Sequence, residues 1–361
     1  SAIHKLTHYD WYRPLSRIAE VVAVGAIFVA GLSIMAAMGR PDRLYFVFTH
    51  GRIQSPIVWD IIVIITFMAI SLLLLVIPMI PAMSSFKKYL KDKPKWQMKM
   101  YKLLSFGWEG TEAQWKILKK CMQVLTVMII PVGVSIHTVT AWLFASTLRP
   151  EWDSTNFGIY FVAGAFLLAV AGMIVAVFVL RKAYHLEEYL TQTHFNKLGK
   201  VLVLMSLINI YCNINEYFVP SYKMDSLHAN HLLDLFVGQD AWLYWAVAIF
   251  GMIIPALFPL FKVMRKPVPL TIIAFLVVIM GWFKRYLIVI PGLSHPLLPI
   301  QDVPESWKHY TPSLVEMTVV AGTFAGMLLI ITLYTRFFPI ISVWEVAEGN
   351  SVKDNPKRVI A

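Results

Sequence analysis

Eight apolar runs, each long enough to cross a bilayer, constrain this chain more than any other feature. They are Ile18 to Met38, Ile57 to Ile80, Met122 to Ser146, Phe157 to Leu180, Leu198 to Val219, Ala241 to Phe261, Val268 to Pro291 and Ser313 to Phe338. A hydrocarbon core about 30 Å thick needs roughly 20 apolar residues in helical form. Within it a backbone must satisfy its own hydrogen bonds, which an open strand cannot do. The expected fold is all-α: a polytopic transmembrane helical protein in which residues 1–361 form one integral membrane domain. Composition agrees, with 58% hydrophobic and 15% charged residues, against about 25% charged in a soluble domain.

A net charge of +11 raises nucleic acid as a partner, but the placement of the charge argues against it. Of the 32 Lys and Arg, with those inside a run assigned to its nearer end, 24 belong to the N-terminal segment, the loops after the second, fourth and sixth runs, and the tail; 8 belong to the opposite side, Lys284 and Arg285 among them. Positive residues gather on the cytoplasmic face. The expectation is a multi-pass protein of the cell inner (cytoplasmic) membrane, with both ends of this sequence cytoplasmic. The basic cytoplasmic loop covers about 82–118. Its densest part, Lys87 to Lys102, interleaves Tyr89, Trp96 and Tyr101. That pattern suits anionic headgroups of membrane lipids and equally a solvated loop. The sequence opens at Ser1 with no signal-peptide pattern, so it carries no reading of how the protein is targeted.

Cys121 and Cys212 are the only cysteines. An iron–sulfur cluster takes about four thiolates, so this chain is expected to bind none, and disulfide scaffolding is likewise excluded. A bis-histidine haem needs imidazoles facing each other within the membrane. His4, His8, His50, His185, His194, His228, His231, His295 and His309 all fall in loops or near span ends, which leaves His137 without a partner at its depth. No metal site, Gly-rich phosphate loop, HExxH pattern or nucleophile elbow is present.

The orientation fixes the depth of the polar residues inside the spans. His137 lies roughly 22 Å from the cytoplasmic end of the third run at 1.5 Å per residue, in the outer half. On the fifth, Asn209, Asn213 and Glu216 fall at i, i+4 and i+7, one helical face, with Ser206 before them and Pro220 after. Lys284 and Arg285 on the seventh come near the same surface, and Asp60 and Glu316 open the second and eighth from it. Each has a plain alternative. Glu216 and Arg285 have the charges of a structural ion pair, and His137 can serve as a hydrogen-bonding link between helices. Asp60 and Glu316 lie where a charge is cheap. Pro131, Pro255 and Pro259 kink helices, although Pro131 also opens the backbone one turn before His137.

As chemistry, the cluster fits a quinone. A quinol gives up two electrons and two protons, so its site needs an apolar slot, partners for the ring oxygens and groups that titrate near neutral pH. Histidine is the natural proton acceptor, and a buried carboxylate such as Glu216 can relay protons. A secondary transporter with an intramembrane solute site also buries polar groups near the midplane, and the residue pattern alone leaves both open.

Several motifs narrow the choice. Gly133 to Trp142 (GVSIHTVTAW), Arg149 to Phe157 (RPEWDSTNF) and Tyr160 to Ala165 (YFVAGA) resemble the membrane subunits of the polysulfide reductase, or NrfD-like, family. So do Met38 to Pro41, Ser55 to Asp60, Asn213 to Tyr217 and Gly322 to Phe324, in unchanged order from about Arg17 to Glu345. Within the family the chain looks most like the quinol-oxidising subunits of alternative complex III and of the Dsr/Hme-type menaquinol complexes. The resemblance implies eight spans arranged as two four-helix bundles, with no haem or iron–sulfur cluster of their own. It also implies a quinone or menaquinone substrate near the outer face, an extracytoplasmic iron–sulfur protein that takes the electrons, and other membrane subunits. Carried over, it makes His137 the leading quinone-site residue, with Asp153, Asp60, Glu216 and Arg285 as neighbours. Together with the stripe on the fifth run, this assigns proton chemistry to His137, Asp153 and Glu216, and quinone contact to His137, Asp60, Asn209, Asn213 and Arg285.

The chain departs from some alternative complex III members at Leu143 and Lys284, where they have acids, and at Asp153, where they have histidine. Those longer relatives also carry a further helix ahead of the first span found here. The expected role is a quinone-reactive subunit of a multi-subunit oxidoreductase, working in the quinol-oxidising direction and not an enzyme alone. A transporter and a catalytically silent membrane anchor are the alternatives.

Overall fold

The computed structural model describes residues 10–86, 95–147, 149, 152–223, 226–294 and 310–341. The segment from Lys87 to Pro94, part of the basic loop, lies outside the described residues, as does Glu151 of the Arg149 to Phe157 motif. Among the described residues there is no strand. Among the same residues, eight helices are long and apolar enough to cross a membrane. We label them α1 (Pro14–Ala37), α2 (Pro56–Ser84), α3 (Glu112–Ala145), α4 (Phe157–Ala183), α5 (Gln192–Lys223), α6 (Ala241–Leu260), α7 (Pro267–Ser294) and α8 (Leu314–Phe337). The chain is a multi-pass integral membrane protein.

Local chemistry explains where the helices start and bend. Ahead of α3, the Gln114 carboxamide accepts the backbone N–H of Glu109, Gly110 and Thr111, while Thr111 Oγ1 accepts the N–H of Gln114. This reciprocal capping satisfies N–H groups that a helix start leaves orphaned, and it begins α3 at Glu112, ten residues before the apolar run. Ser313 and Glu316 make the same exchange at the start of α8, so the Glu316 carboxylate serves as a cap. A turn at Ile77 and Pro78 interrupts α2. In α6 a π-helical turn over Ile249–Ile253 precedes Pro255, whose ring nitrogen carries no hydrogen to donate.

The chain divides into two compact units, one of Ser1–His50, Ile61–Gly133 and Val319–Ala361, the other of Gly51–Asp60 and Val134–Thr318. In the first unit Ile70 and Leu74 of α2 pack on Met122 of α3. Arg17, 1% exposed, donates to the carbonyls of Pro78 at 3.2 Å and Pro339 at 3.4 Å. Tyr101, on a short helix over Lys95–Leu104, donates to the Phe337 carbonyl. Arg40 of the Met38 to Pro41 motif forks onto Asp42, with Nε at 3.0 Å and Nη2 at 2.9 Å, and this hydrogen-bonded cation holds the Asp42 carboxyl below its ordinary range.

The second unit holds the larger core. Ala141, Trp152, Phe157, Tyr160, Phe161, Cys212 and Ile288 form one cluster, and Tyr217, Leu235, Tyr244, Val247, Met252 and Leu287 form another. Lipid tails are as apolar as these side chains, so burial drives little helix association in a bilayer; close backbone approach and hydrogen bonds do more. Gly281 and Gly251 provide the approach: a Cβ there would lie 2.7 Å from Leu168 Cδ1 and 2.9 Å from Met280 Cβ. Trp152 Nε1 donates to the Ile288 carbonyl at 2.8 Å, tying the segment before α4 to α7.

Candidate functional site

The polar face read on α5 is buried in the second unit: Asn209 is 0% exposed, Asn213 8% and Glu216 3%. It meets α4, which supplies Tyr160 and Phe161, and α7, which supplies Lys284 and Arg285. The 3.6-residue period sets the spacing, since Asn156 at the cap of α4 and Tyr160 and Gly164 within it repeat every four residues, just as Asn209 and Asn213 do on α5.

At one end of the stripe a carboxylate is held by neutral donors. The Ser154 hydroxyl donates to Glu216 Oε1, and Asn156 Nδ2 donates to Oε2 at 2.8 Å and to the Cys212 carbonyl at 2.9 Å. A cavity of about 20 Å³ opens beside it, lined by Asp153, Glu216, Tyr217, His228 and His231 among others. His228 Nε2 lies 3.7 Å from Asp153 Oδ1. His228 and His231 both stand on a short helix, Ser226–Phe236, at the i, i+3 spacing that puts them on one face. Two carboxylates and two imidazoles around a space that fits a water can pass a proton among themselves.

Two turns along α5 the centre is cationic. Lys284 Nζ donates to Asn209 Oδ1 at 2.9 Å and sits 4.0 Å from the centroid of the Tyr160 ring. Asn213 Nδ2 donates to the Tyr160 hydroxyl at 3.1 Å, and Tyr244 of α6 donates to Asn213 Oδ1 at 3.3 Å. The Arg285 guanidinium lies 3.6 Å over the Phe161 ring and reaches the Phe161 carbonyl at 3.5 Å. A cation over an aromatic face is worth about 2 kcal/mol or more where water is excluded. Gly164 packs beside these groups: a Cβ there would stand in ordinary contact with Asn209 Nδ2 at 3.4 Å and Lys284 Nζ at 3.5 Å. A second cavity of about 20 Å³ adjoins these groups.

His137 is half-buried on α3, and its ring makes no hydrogen bond to another described residue. Arg285 is the charged group that acts on it electrostatically. One turn along α3, the Thr140 hydroxyl lies 2.7 Å from both Asp60 Oδ1 and the Ile136 carbonyl, which brings Asp60 to the neighbourhood of His137. Trp59 and Trp142 meet edge to face beside them.

Of the residues picked from sequence, the structure brings Asn209 and Asn213 together with Lys284, and Glu216 together with Asp153. It bonds Asp60 to Thr140, one helical turn from His137 along α3. The Glu216–Arg285 ion pair does not form, because Glu216 accepts from Ser154 and Asn156 while Arg285 lies on Phe161. His137 lines neither cavity. Sequence reasoning passed over Ser154, Asn156, Tyr160, Thr140, His228 and His231 as site residues, and it placed Lys284 near the outer surface without giving it a site role. The signals were available in part: Asn156 and Tyr160 sit inside the quoted motifs, and two histidines three apart suggest a shared helical face.

Comparison with known proteins adds a second line. A family model described as "Polysulphide reductase, NrfD" matches residues 1–296. A putative membrane subunit of dimethyl sulfoxide reductase from Halobacterium salinarum is 23% identical over 369 residues, covering 94% of this chain and 78% of that protein. A selenate reductase subunit from Mesobacillus selenatarsenatis is 23% identical over 359 residues, covering 96% and 82%.

Proposed function

The chain belongs to the polysulphide reductase, NrfD, family and is a membrane subunit of an oxidoreductase, and on that premise we propose that it is the subunit through which a quinol, menaquinol in the first instance, delivers electrons. The observation that carries this reading is His137, a half-buried imidazole on a membrane-spanning helix with no hydrogen bond to another described residue.

Neither cavity, at about 20 Å³ each, admits a quinone ring. The ring therefore docks against the open side of His137, with its tail in lipid. Oxidation releases two electrons and two protons. His137 accepts the proton of one ring hydroxyl and the Asp60 carboxylate, steadied by Thr140, accepts the other, while Arg285 donates a hydrogen bond to a ring oxygen. Asp153 and Glu216, with His228 between them and water, carry protons onward. Asn209 and Asn213 support this site by fixing Lys284 and Tyr160, which is a narrower role than ring contact. The electrons leave to an iron–sulfur protein docked on the face opposite the basic loops, and the excess of Lys and Arg on those loops favours a cytoplasmic position for both ends of the sequence. The two relatives bear the names of reductase subunits, which supports the quinol-oxidising direction.

The test is His137→Gln in the intact complex, with menaquinol turnover measured per assembled complex. Loss of a proton acceptor lowers the rate by about 10²-fold or more. An unchanged rate in a normally assembled complex overturns the proposal and leaves the chain a membrane anchor.

A further inference from the structure

The cationic cavity raises a separate question, because its charge is not balanced by its lining. Lys284 and Arg285 border it, and among the described residues no carboxylate does. The acid nearest along the stripe, Glu216, acts on Lys284 electrostatically but borders the other cavity, where Ser154 and Asn156 hold it. The remaining walls are mostly apolar, among them Leu168, Val247, Met252 and Val277. Two cations against such walls need a compensating charge or strong acceptors.

Asn209 supplies the independent sign. It is 0% exposed, and its Oδ1 is fixed by the Lys284 ammonium at 2.9 Å. That bond sets the orientation of the amide, so Nδ2 is the atom left over, and this buried donor has no hydrogen-bond partner among the described residues. A buried amide donor left unsatisfied costs about 1–3 kcal/mol, and donors here include Nδ2, the remaining hydrogens of Lys284 and the Arg285 guanidinium. All of these want an acceptor. The cavity volume of about 20 Å³ is enough for one small sphere and too little for a sulfate, a phosphate or a ring.

We propose that this cavity binds a monovalent anion of halide size, coordinated by Lys284 Nζ and Asn209 Nδ2 with Arg285 contributing charge. The anion neutralises the adjacent cations and completes the hydrogen bonding of Asn209. The lining around it shares no residue with that of the cavity beside Glu216, so the two cavities hold different contents.

The experiment uses the intact complex and bromide as the probe, and it does not depend on the quinone reading. Crystals grown in bromide are expected to give one anomalous peak per chain between Lys284 and Asn209. In solution, replacing gluconate by chloride at constant ionic strength should raise the unfolding temperature, since a ligand that binds only the folded state stabilises it. Lys284→Met should abolish both effects. Asn209→Asp, isosteric and carrying its own negative charge, should also exclude bromide while keeping the fold, which guards against a misfolded Lys284 variant. A cavity that shows only water, or a halide effect on stability that persists in both variants, overturns the proposal.

Discussion

Both compact units bury charge, but they use it differently. In the first, Arg17 is taken up by two backbone carbonyls and Tyr101 by a third. These bonds tie the ends of segments that a turn or a helix terminus leaves with unsatisfied oxygens. In the second, Glu216 and Lys284 are held mainly by side chains, and each borders a cavity. The difference teaches that an ionisable residue at membrane depth marks a site only when its partners are themselves rearrangeable. Carbonyls of a helix end cannot change their protonation or donor role, whereas hydroxyls, amides, imidazoles and carboxylates can.

Variants at three positions probe that contrast. The largest effect is expected at Glu216: Glu216→Ala strands the Ser154 and Asn156 donors and removes a proton carrier, lowering quinol turnover by about 10²-fold. Glu216→Gln keeps most of the hydrogen bonding and should still lose about tenfold while the unfolding temperature stays near wild type. Full turnover in the Gln variant would make Glu216 a structural group like Arg17 and erase the distinction. Arg17→Met comes next, with a stability loss of about 1–3 kcal/mol from carbonyls left unpaired, read by denaturation of the purified complex. Turnover per assembled complex should change less than about twofold, and a collapse in it would mean that the first unit also takes part in the chemistry. Smallest is Thr140→Val, which removes the 2.7 Å bond to Asp60. It should cost about 0.5–1.5 kcal/mol and sharpen the role of Asp60 through a shift in the apparent affinity for quinol.

The sequence made the eight helices legible because a bilayer leaves a backbone so few options. It also made the α5 stripe legible, since residues at i, i+4 and i+7 share a face whatever surrounds them. What it could not convey was the partner of each polar residue. Glu216 and Arg285 look complementary as charges, yet neutral donors from the segment before α4 take the carboxylate, and a phenyl ring takes the guanidinium. Such choices depend on the rotation of α4 and α7, which is set by close contacts at Gly251 and Gly281. Cavity size was hidden for the same reason. Prolines at 255 and 259 announced an irregular α6, but the chain alone did not distinguish a kink from a π-turn.

That π-turn has a geometric consequence. An α-helix advances about 100° per residue at 3.6 residues per turn, and a π-turn accommodates an extra residue that a regular helix would have to express as rotation. Ile249–Ile253 thus acts as a phase shift between Leu243–Val247 on one side and Ile254–Leu257 on the other. Both halves keep buried faces, and Tyr244 is aimed at Asn213. Deleting one residue from the turn would restore regular winding and swing Tyr244 about 100° around the axis, uncoupling α6 from the hydrogen-bonded chain without changing a single side chain in it.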